Sequence, residues 1–261
     1  MSNMQENAPR VCKNALLDAL GAQFDNVTVR VFDEIDSTNT EAKRMALDGF
    51  SGDALLVAHH QTAGRGRMGR SFYSPAQTGA YFSILHTLNT PLCDAVAITS
   101  AASVAVMRAI RALAGIQTEI KWVNDLYYNG KKVCGILTEA VSAGESAHVI
   151  VGIGINLDTV DFPEELAAIA GSLNAQIDTA KLIAEIYRQI SFYLQDASNR
   201  EWLEDYRKHS MVLGRKVAWG NAESSKTGLA EAIDEDGALL IREENGNLVR
   251  LHTGEISIRQ I

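Results

Sequence analysis

The dipeptide Asn129-Gly130 stands between two strand-like runs, 125–128 (DLYY) and 131–139 (KKVCGILTE). Asn and Gly both tolerate positive φ, which a two-residue type I′ hairpin turn needs at both positions. The two runs are therefore expected to pair antiparallel. Further strand-like runs lie close by at 118–122 and 147–156. Parallel neighbours would need crossovers of a dozen or more residues, so these short turns exclude a doubly wound parallel sheet. The predicted class is α+β: a mixed, mainly antiparallel sheet flanked by helices. Strands are also expected at 27–33, 54–58 and 80–86. Helices are expected at 11–24, 39–48, 93–114, 163–170, 179–196 and 199–209. Thr38 and Glu41 have capping-box spacing, and Gly49 is a natural stop.

From about Leu213 short strands alternate with turns, at 215–219, 227–233, 238–242 and 248–252, with turn signals at Asp234 to Gly237 and Asn245-Gly246. A stretch of that size suggests a small SH3-like β-barrel. The chain then divides into a large unit, 1–211, and a small one, 212–261. A total of 261 residues allows that division.

A net charge of −8 disfavours a free-standing nucleic-acid binder, which draws affinity from neutralising phosphates. Cys12, Cys93 and Cys134 are odd in number and unpaired in spacing, which argues against a disulfide framework or a zinc site and fits a reducing compartment. The N-terminal segment lacks a signal-peptide apolar core, and no run of about 18 apolar residues suggests a membrane span. A cytoplasmic protein is expected.

Gly64-Arg65-Gly66-Arg67-Met68-Gly69-Arg70 formally matches GxGxxG. A dinucleotide fold would need a helix directly after it and an acidic residue about 20 positions on. Here Pro75 and a strand follow, and His86 stands where the acid is wanted. Three glycines let backbone approach a ligand, and three arginines offer forked donors to carboxylate or phosphate. Such a loop, charged and empty, is expected to be mobile until an anion orders it.

Lys132 is the other cation of interest. Simple alternation puts it on one face with Cys134, Ile136 and Thr138, inward if Lys131 is solvated, and a buried lysine needs an anionic partner. Asn124 and Asp125 lie across the turn. Gly152 and Gly154, in GIGIN, would permit close backbone approach. His59-His60 reads as a structural pair, and Trp122, Trp202 and Trp219 as core or interface aromatics.

Taken together and in order, DSTN (36–39), Gln61 with GRGRMGR (64–70), KWVNDL (121–126), KKVCGIL (131–137), GIGIN (152–156) and GEISIR (254–259) resemble the biotin protein ligases over about residues 30 to 261. The resemblance implies a class II synthetase-like catalytic domain. It also implies an ATP- and Mg2+-dependent reaction in two steps. Biotin and ATP give biotinyl-5′-AMP, and a lysine of the biotin carboxyl carrier protein of acetyl-CoA carboxylase then takes the biotinyl group. Carried over position by position, Ser37, Thr38, Asn39, Gln61, Arg65, Gly66, Arg67, Lys132, Gly135 and Gly152 are implied in holding biotin. Arg67, Arg70, Asn124, Asp125, Lys132 and Asn156 are implied on the ATP side, with Mg2+ bound mainly through the phosphates. Lys132, Arg67 and Asp125 are implied as catalytic: Lys132 touching carboxylate and α-phosphate, Arg67 retaining the adenylate, Asp125 orienting Lys132 or accepting the acceptor lysine's proton.

Two departures stand out. Val123 occupies a slot where many members have proline, which would only stiffen the turn. About 30 residues precede the matched core, too few for the DNA-binding winged helix of some members, so a ligase without repressor function is expected. Lipoate ligases share the adenylate logic but lack this arginine loop paired with KWxND. A biotin sensor that is not an enzyme is the alternative from another class. A homodimer through exposed sheet edges is compatible with the sequence.

Overall fold

The computed structural model describes residues 11–88, 95–144, 146–196, 198–220, 225–254 and 256–258. The expected start of the long helix at 93, Cys93, the N-terminal ten residues, and Glu255 and Arg259 of GEISIR lie outside them. In chain order the elements are α1 (Lys13–Leu20), β1 (Thr28–Phe32), α2 (Thr38–Leu47), β2 (Asp53–Ala58), β3 (Gly79–Leu88), α3 (Ala95–Ala114), β4 (Glu119–Lys121), β5 (Asp125–Tyr128), β6 (Lys131–Ala143), β7 (Ser146–Asn156), α4 (Glu164–Ala167), α5 (Thr179–Gln195), α6 (Leu203–Lys208), β8 (Lys216–Trp219), β9 (Lys226–Ile233), β10 (Leu239–Glu243), β11 (Leu248–Leu251) and β12 (Ile256–Ile258).

Seven strands form one sheet in the order β1-β2-β3-β7-β6-β5-β4. Only β1 and β2 run parallel; every other neighbouring pair is antiparallel. Asn129 and Gly130 have φ of 49° and 76°, the two positive values the type I′ turn requires. The mixed, mainly antiparallel sheet read from that turn is the sheet found.

Alternate residues of each strand serve opposite faces. Val149, Val151, Ile153 and Ile155 of β7 join Phe82 and Ile84 of β3 and Ile136 of β6 in the main core, under α1, α3 and α5. The helix α5 is apolar along one side and starts at Asp178, whose side chain accepts the Lys181 N–H at 3.1 Å. Against the expectation of no such run, α3 is long and apolar enough to cross a bilayer by length and composition. Most of its apolar residues are instead buried against the sheet and α5, and Arg108 bonds Asp205 at 2.7 Å. On the other sheet face a smaller cluster joins Ala42, Met45 and Ala46 of α2 to Leu56, Leu85 and Ile150.

Several elements differ from their expected bounds. Gly21, with φ of 84°, ends α1 early and a single 3-10 turn follows. The helices expected at 163–170 and 199–209 shrink to α4 and α6. Ser37, not Thr38, caps α2: it is extended and its side chain accepts from Thr40 N. Thr38 is thereby the first helical residue, its hydroxyl available for other work.

The C-terminal segment is a five-stranded antiparallel sheet, β11-β10-β9-β8-β12. The last strand, β12, falls in the GEISIR segment, which periodicity did not mark. Val217, Trp219, Ile233, Leu239 and Ile241 belong to the same apolar core as the large sheet. The Trp122 indole donates to Gly237 O at 2.9 Å across the junction. All three tryptophans are buried.

Candidate functional site

On the α2 face, residues opposite one another across neighbouring strands form two rows. One row is Ser83, Gly152, Leu137. The other is Tyr81, Gly154, Gly135, Asp125. The glycines make a trough. A Cβ on Gly152 would lie 1.9 Å from Asn39 Oδ1, and one on Gly154 would lie 2.3 Å from the Phe72 ring. No side chain fits at either place while those neighbours stay put.

Lys132 reaches this trough through a register shift. Leu126 pairs with Cys134 but Tyr127 pairs with Lys132, so Val133 is the extra residue of a β-bulge. Val133 and Cys134 both enter the core. The phase of alternation reverses, and Lys132 shares a face with Gly135, not with Cys134, Ile136 and Thr138 as plain alternation predicts. Lys132 Nζ meets Asp125 Oδ1 at 2.6 Å, with both side chains partly buried. That is the anionic partner the sequence required. Beneath them burial pushes the Cys134 thiol far above its ordinary range, so it is an inert apolar neighbour and not a nucleophile. Burial likewise pushes Tyr127 up to about 12.

The arginine loop closes over the trough. Its Gly-x-Gly stretch leads into one 3-10 turn and then β3, which fits the rejection of a dinucleotide fold. Gly66 N–H donates to Arg70 O at 2.7 Å, and Met68 and Gly69 take left-handed backbone, φ 55° and 76°. Mutual repulsion is relieved by acceptors. Arg65 bonds Glu139 at 2.8 Å. Arg67 bonds Asn124 Oδ1 at 2.9 Å and reaches Thr253 Oγ1 and Gly254 O, in the connection after β11, at 3.3 and 3.2 Å. The stem is anchored by Gln61, whose Nε2 donates to Ser74 Oγ at 2.9 Å while its Oε1 accepts Thr38 N–H at 2.9 Å.

Ser37, Thr38, Asn39, Gln61, Arg65, Gly66, Arg67, Asn124, Lys132, Gly135 and Gly152 all line one cavity. Asp125, Arg70 and Asn156 do not: Asp125 acts on it through Lys132, and Asn156 sits at the end of β7, where its Nδ2 donates to Gly171 O at 3.0 Å. The cavity holds about 40 Å³, enough for water and too little for a bicyclic ligand with a side chain. Phe72, which the motif reading passed over, fills the trough above Gly135 and Gly154. The loop carrying it must shift for such a ligand to enter. Two more members of the site escaped sequence reasoning: Ser83, whose hydroxyl joins Thr38 and Asn39, and Glu139, which joins Asn39 and Arg65. Val123 is buried, its carbonyl accepting from Tyr206 OH at 3.1 Å. His60 bonds Glu34 at 2.9 Å, away from the trough.

Residues 31–156 match the Biotin/lipoate A/B protein ligase family, and 212–259 match the Biotin protein ligase C terminal domain. The bifunctional ligase/repressor BirA of Bacillus subtilis is 34% identical over 236 residues, covering 87% of this chain and 72% of the relative. The biotin–[acetyl-CoA-carboxylase] ligase of Paracoccus denitrificans is 30% identical, covering 82% of this chain and 94% of that one. The solved biotin protein ligase from Aquifex aeolicus in complex with biotin and ATP superposes with a TM-score of 0.75 at 29% identity, covering 90% of this chain and 99% of that one.

Proposed function

Because the chain belongs to the biotin protein ligase family, we propose that it couples biotin to a carrier-protein lysine through a biotinyl-5′-adenylate formed in the glycine trough. The observation that carries the reading is the juxtaposition of Lys132 with its Asp125 partner, Arg67 and the polar set Ser37, Thr38 and Gln61 around one cavity.

The polar set takes the uncharged ureido head, and the cations take the other end. In the first half-reaction a biotin carboxylate oxygen attacks the α-phosphorus of ATP and pyrophosphate leaves. Two anions must approach, so fixed positive charge has to be in place before they meet. Lys132, Arg65 and Arg67 supply it, with Arg70 on the phosphate side. Asp125 holds Lys132 by an ion pair on a strand, which fixes the ammonium without filling the trough. Residues Arg67 and Phe72 on the loop then cover the mixed anhydride and keep water off it. In the second half-reaction the neutral amine of the carrier lysine attacks the acyl carbon and AMP leaves. Asp125, the carboxylate paired with Lys132, is the candidate to take its proton.

Magnesium would arrive with the ATP phosphates. Among the described residues no group of three His, Cys, Asp or Glu could hold a metal. The buried Asn156 Oδ1, without a hydrogen-bond partner, is the kind of hard oxygen such an ion accepts. When bound, the ion neutralises phosphate charge. The acceptor proposed is the biotin carboxyl carrier protein of acetyl-CoA carboxylase, and the location proposed is the cytoplasm.

The test is incubation with ATP, Mg2+ and labelled biotin. Biotin-dependent ATP–pyrophosphate exchange and label on a carrier domain are expected. Turnover of lipoate or octanoate in place of biotin would favour the lipoate-ligase reading. Biotin binding without exchange would favour a sensor.

A further inference from the structure

The polar groups behind Thr38 constrain what the cavity can recognise. Asn39 turns its Nδ2 toward Glu139 Oε2 at 3.0 Å and Leu137 O at 3.4 Å. Both are acceptors, so the amide nitrogen belongs at that end and Oδ1 at the other. Asn39 Oδ1 lies 2.6 Å from Ser83 Oγ and can only accept, so it takes the single proton Ser83 has. The second neighbour of Ser83 is Thr38 Oγ1 at 2.7 Å, which must then donate to Ser83, because opposed lone pairs at that distance repel. The remaining protein partner of the Thr38 hydroxyl, Gln61 Oε1 at 3.2 Å, is also an acceptor and already takes the Thr38 N–H at 2.9 Å. The hydroxyl hydrogen of Thr38 is therefore spent inside the protein, on Ser83, the nearer of the two oxygens.

Burial enforces the order. Ser83, Thr38 and Asn39 are 0%, 3% and 4% exposed, so bulk water does not supply alternative partners. Glu139, held by Arg65 at 2.8 Å, closes the far end with a carboxylate, and Gly152 makes the room in which Asn39 reaches Ser83.

We propose that Ser83 is a positioning and specificity residue. Through the one-way relay from Thr38 to Ser83 to Asn39 to Glu139, it holds Thr38 Oγ1 toward the cavity as an acceptor. The site therefore takes a ligand N–H at that point and rejects an isosteric ring oxygen. This rests on the reading that the ureido ring of biotin lies beside Ser37, Thr38 and Gln61. Nothing in the sequence links Ser83 to Asn39: it stands 44 positions away, and only the β3–β7 register brings it opposite Gly152 and under Asn39.

The experiment measures dissociation constants, on the full chain, for biotin and for its two cyclic carbamate analogues, each with one ureido N–H replaced by oxygen. The unmodified protein should disfavour one analogue by about tenfold to hundredfold, since an acceptor then faces an acceptor. In Ser83→Ala the hydroxyl of Thr38 loses its strongest internal acceptor and can turn to donate. The preference for urea over that analogue should fall several-fold, and the preference over the other analogue should not move. Uniform weakening of all three ligands with unchanged ratios would overturn the proposal, because that is what a packing role does. If Ser83→Ala does not fold, Ser83→Cys carries the same test, since a thiol of similar size accepts only weakly from the Thr38 hydroxyl; an unchanged ratio there overturns the relay. Failure of the unmodified protein to bind biotin at all would overturn the underlying reading, and is distinguished by that control.

Discussion

The two faces of the seven-stranded sheet are made from the same strands and obey opposite rules. On β7, Val151, Ile153 and Ile155 point one way into a core sealed by α3 and α5, while Gly152 and Gly154 point the other way. The first face is stabilised by filling space; the second fills it only under α2, around Leu56, Leu85 and Ile150, and leaves it along the trough. Removing atoms should therefore hurt one face and adding atoms the other, and each substitution below probes that contrast.

The largest effect is expected from Lys132→Ala. The substitution leaves the core face untouched but removes the cation and leaves Asp125 alone beside the trough. Biotin-dependent ATP–pyrophosphate exchange should fall by about a thousandfold or more, the scale on which fixed charge in a dry site contributes, with little change in melting temperature. Normal exchange would remove Lys132 from the first step. The mirror experiment is Ile155→Ala, a fully buried side chain on the opposite face of the same trough. It should cost about 2–5 kcal/mol in denaturant unfolding, while the folded fraction keeps its KM for biotin. If Ile155→Ala spoiled KM as strongly as stability, the two faces would not be separable.

Adding a methyl tests the converse. In Gly154→Ala the new Cβ would stand 2.3 Å from the ring of Phe72. Phe72 belongs to a loop, so it can yield, and the stability cost should be about 1–3 kcal/mol or less. The ring cannot then return to cover the trough. We expect KM for biotin to rise and the adenylate to escape into solvent, measured as biotin-dependent AMP release without carrier. An unchanged release rate would free Phe72 from the cover.

What the sequence alone makes legible follows the same divide. Local chemistry was readable: Asn129-Gly130 needs no context to specify its turn, and the arginines of 64–70 advertise an anion by type alone. What depends on register was not. A single extra residue, Val133, reverses the side on which Lys132 emerges, and nothing in KKVCGIL distinguishes a bulge from regular alternation. Glu139 and Ser83 are ordinary strand residues until three strands are laid side by side. The cap of α2 slid by one residue because Ser37 and Thr38 are chemically interchangeable there, and only the extended backbone of Ser37 decides between them.

The smallest expected effect concerns how each face is fastened. The core face is held by burial, which is indifferent to pH in this range. The start of α2, which carries Ser37 to Asn39 into the site, is held by Asp36, whose carboxylate accepts the Ser37 N–H at 2.7 Å and an ion pair from Arg44. The hydrogen bond from Arg44 is the main reason that the Asp36 carboxyl is held below its ordinary value of 3.8. A depressed carboxyl contributes stability that is fully present above the unfolded value and lost as pH falls through the folded one. The contribution should thus be constant from pH 7 to 5 and vanish only as pH drops below 3.8. Both side chains are substantially exposed, so it is small. Asp36→Asn should weaken biotin binding slightly at pH 7, and the gap to the unmodified protein should close only as pH falls below 3.8 and through the lowered value, because acid does to Asp36 what the substitution does. Melting temperature should track that gap only faintly, since the core face is unaffected. A gap that widened with acid would mean that some other carboxylate fastens the helix, and Glu41, which also bonds Arg44 at 3.2 Å, would be the one to replace next.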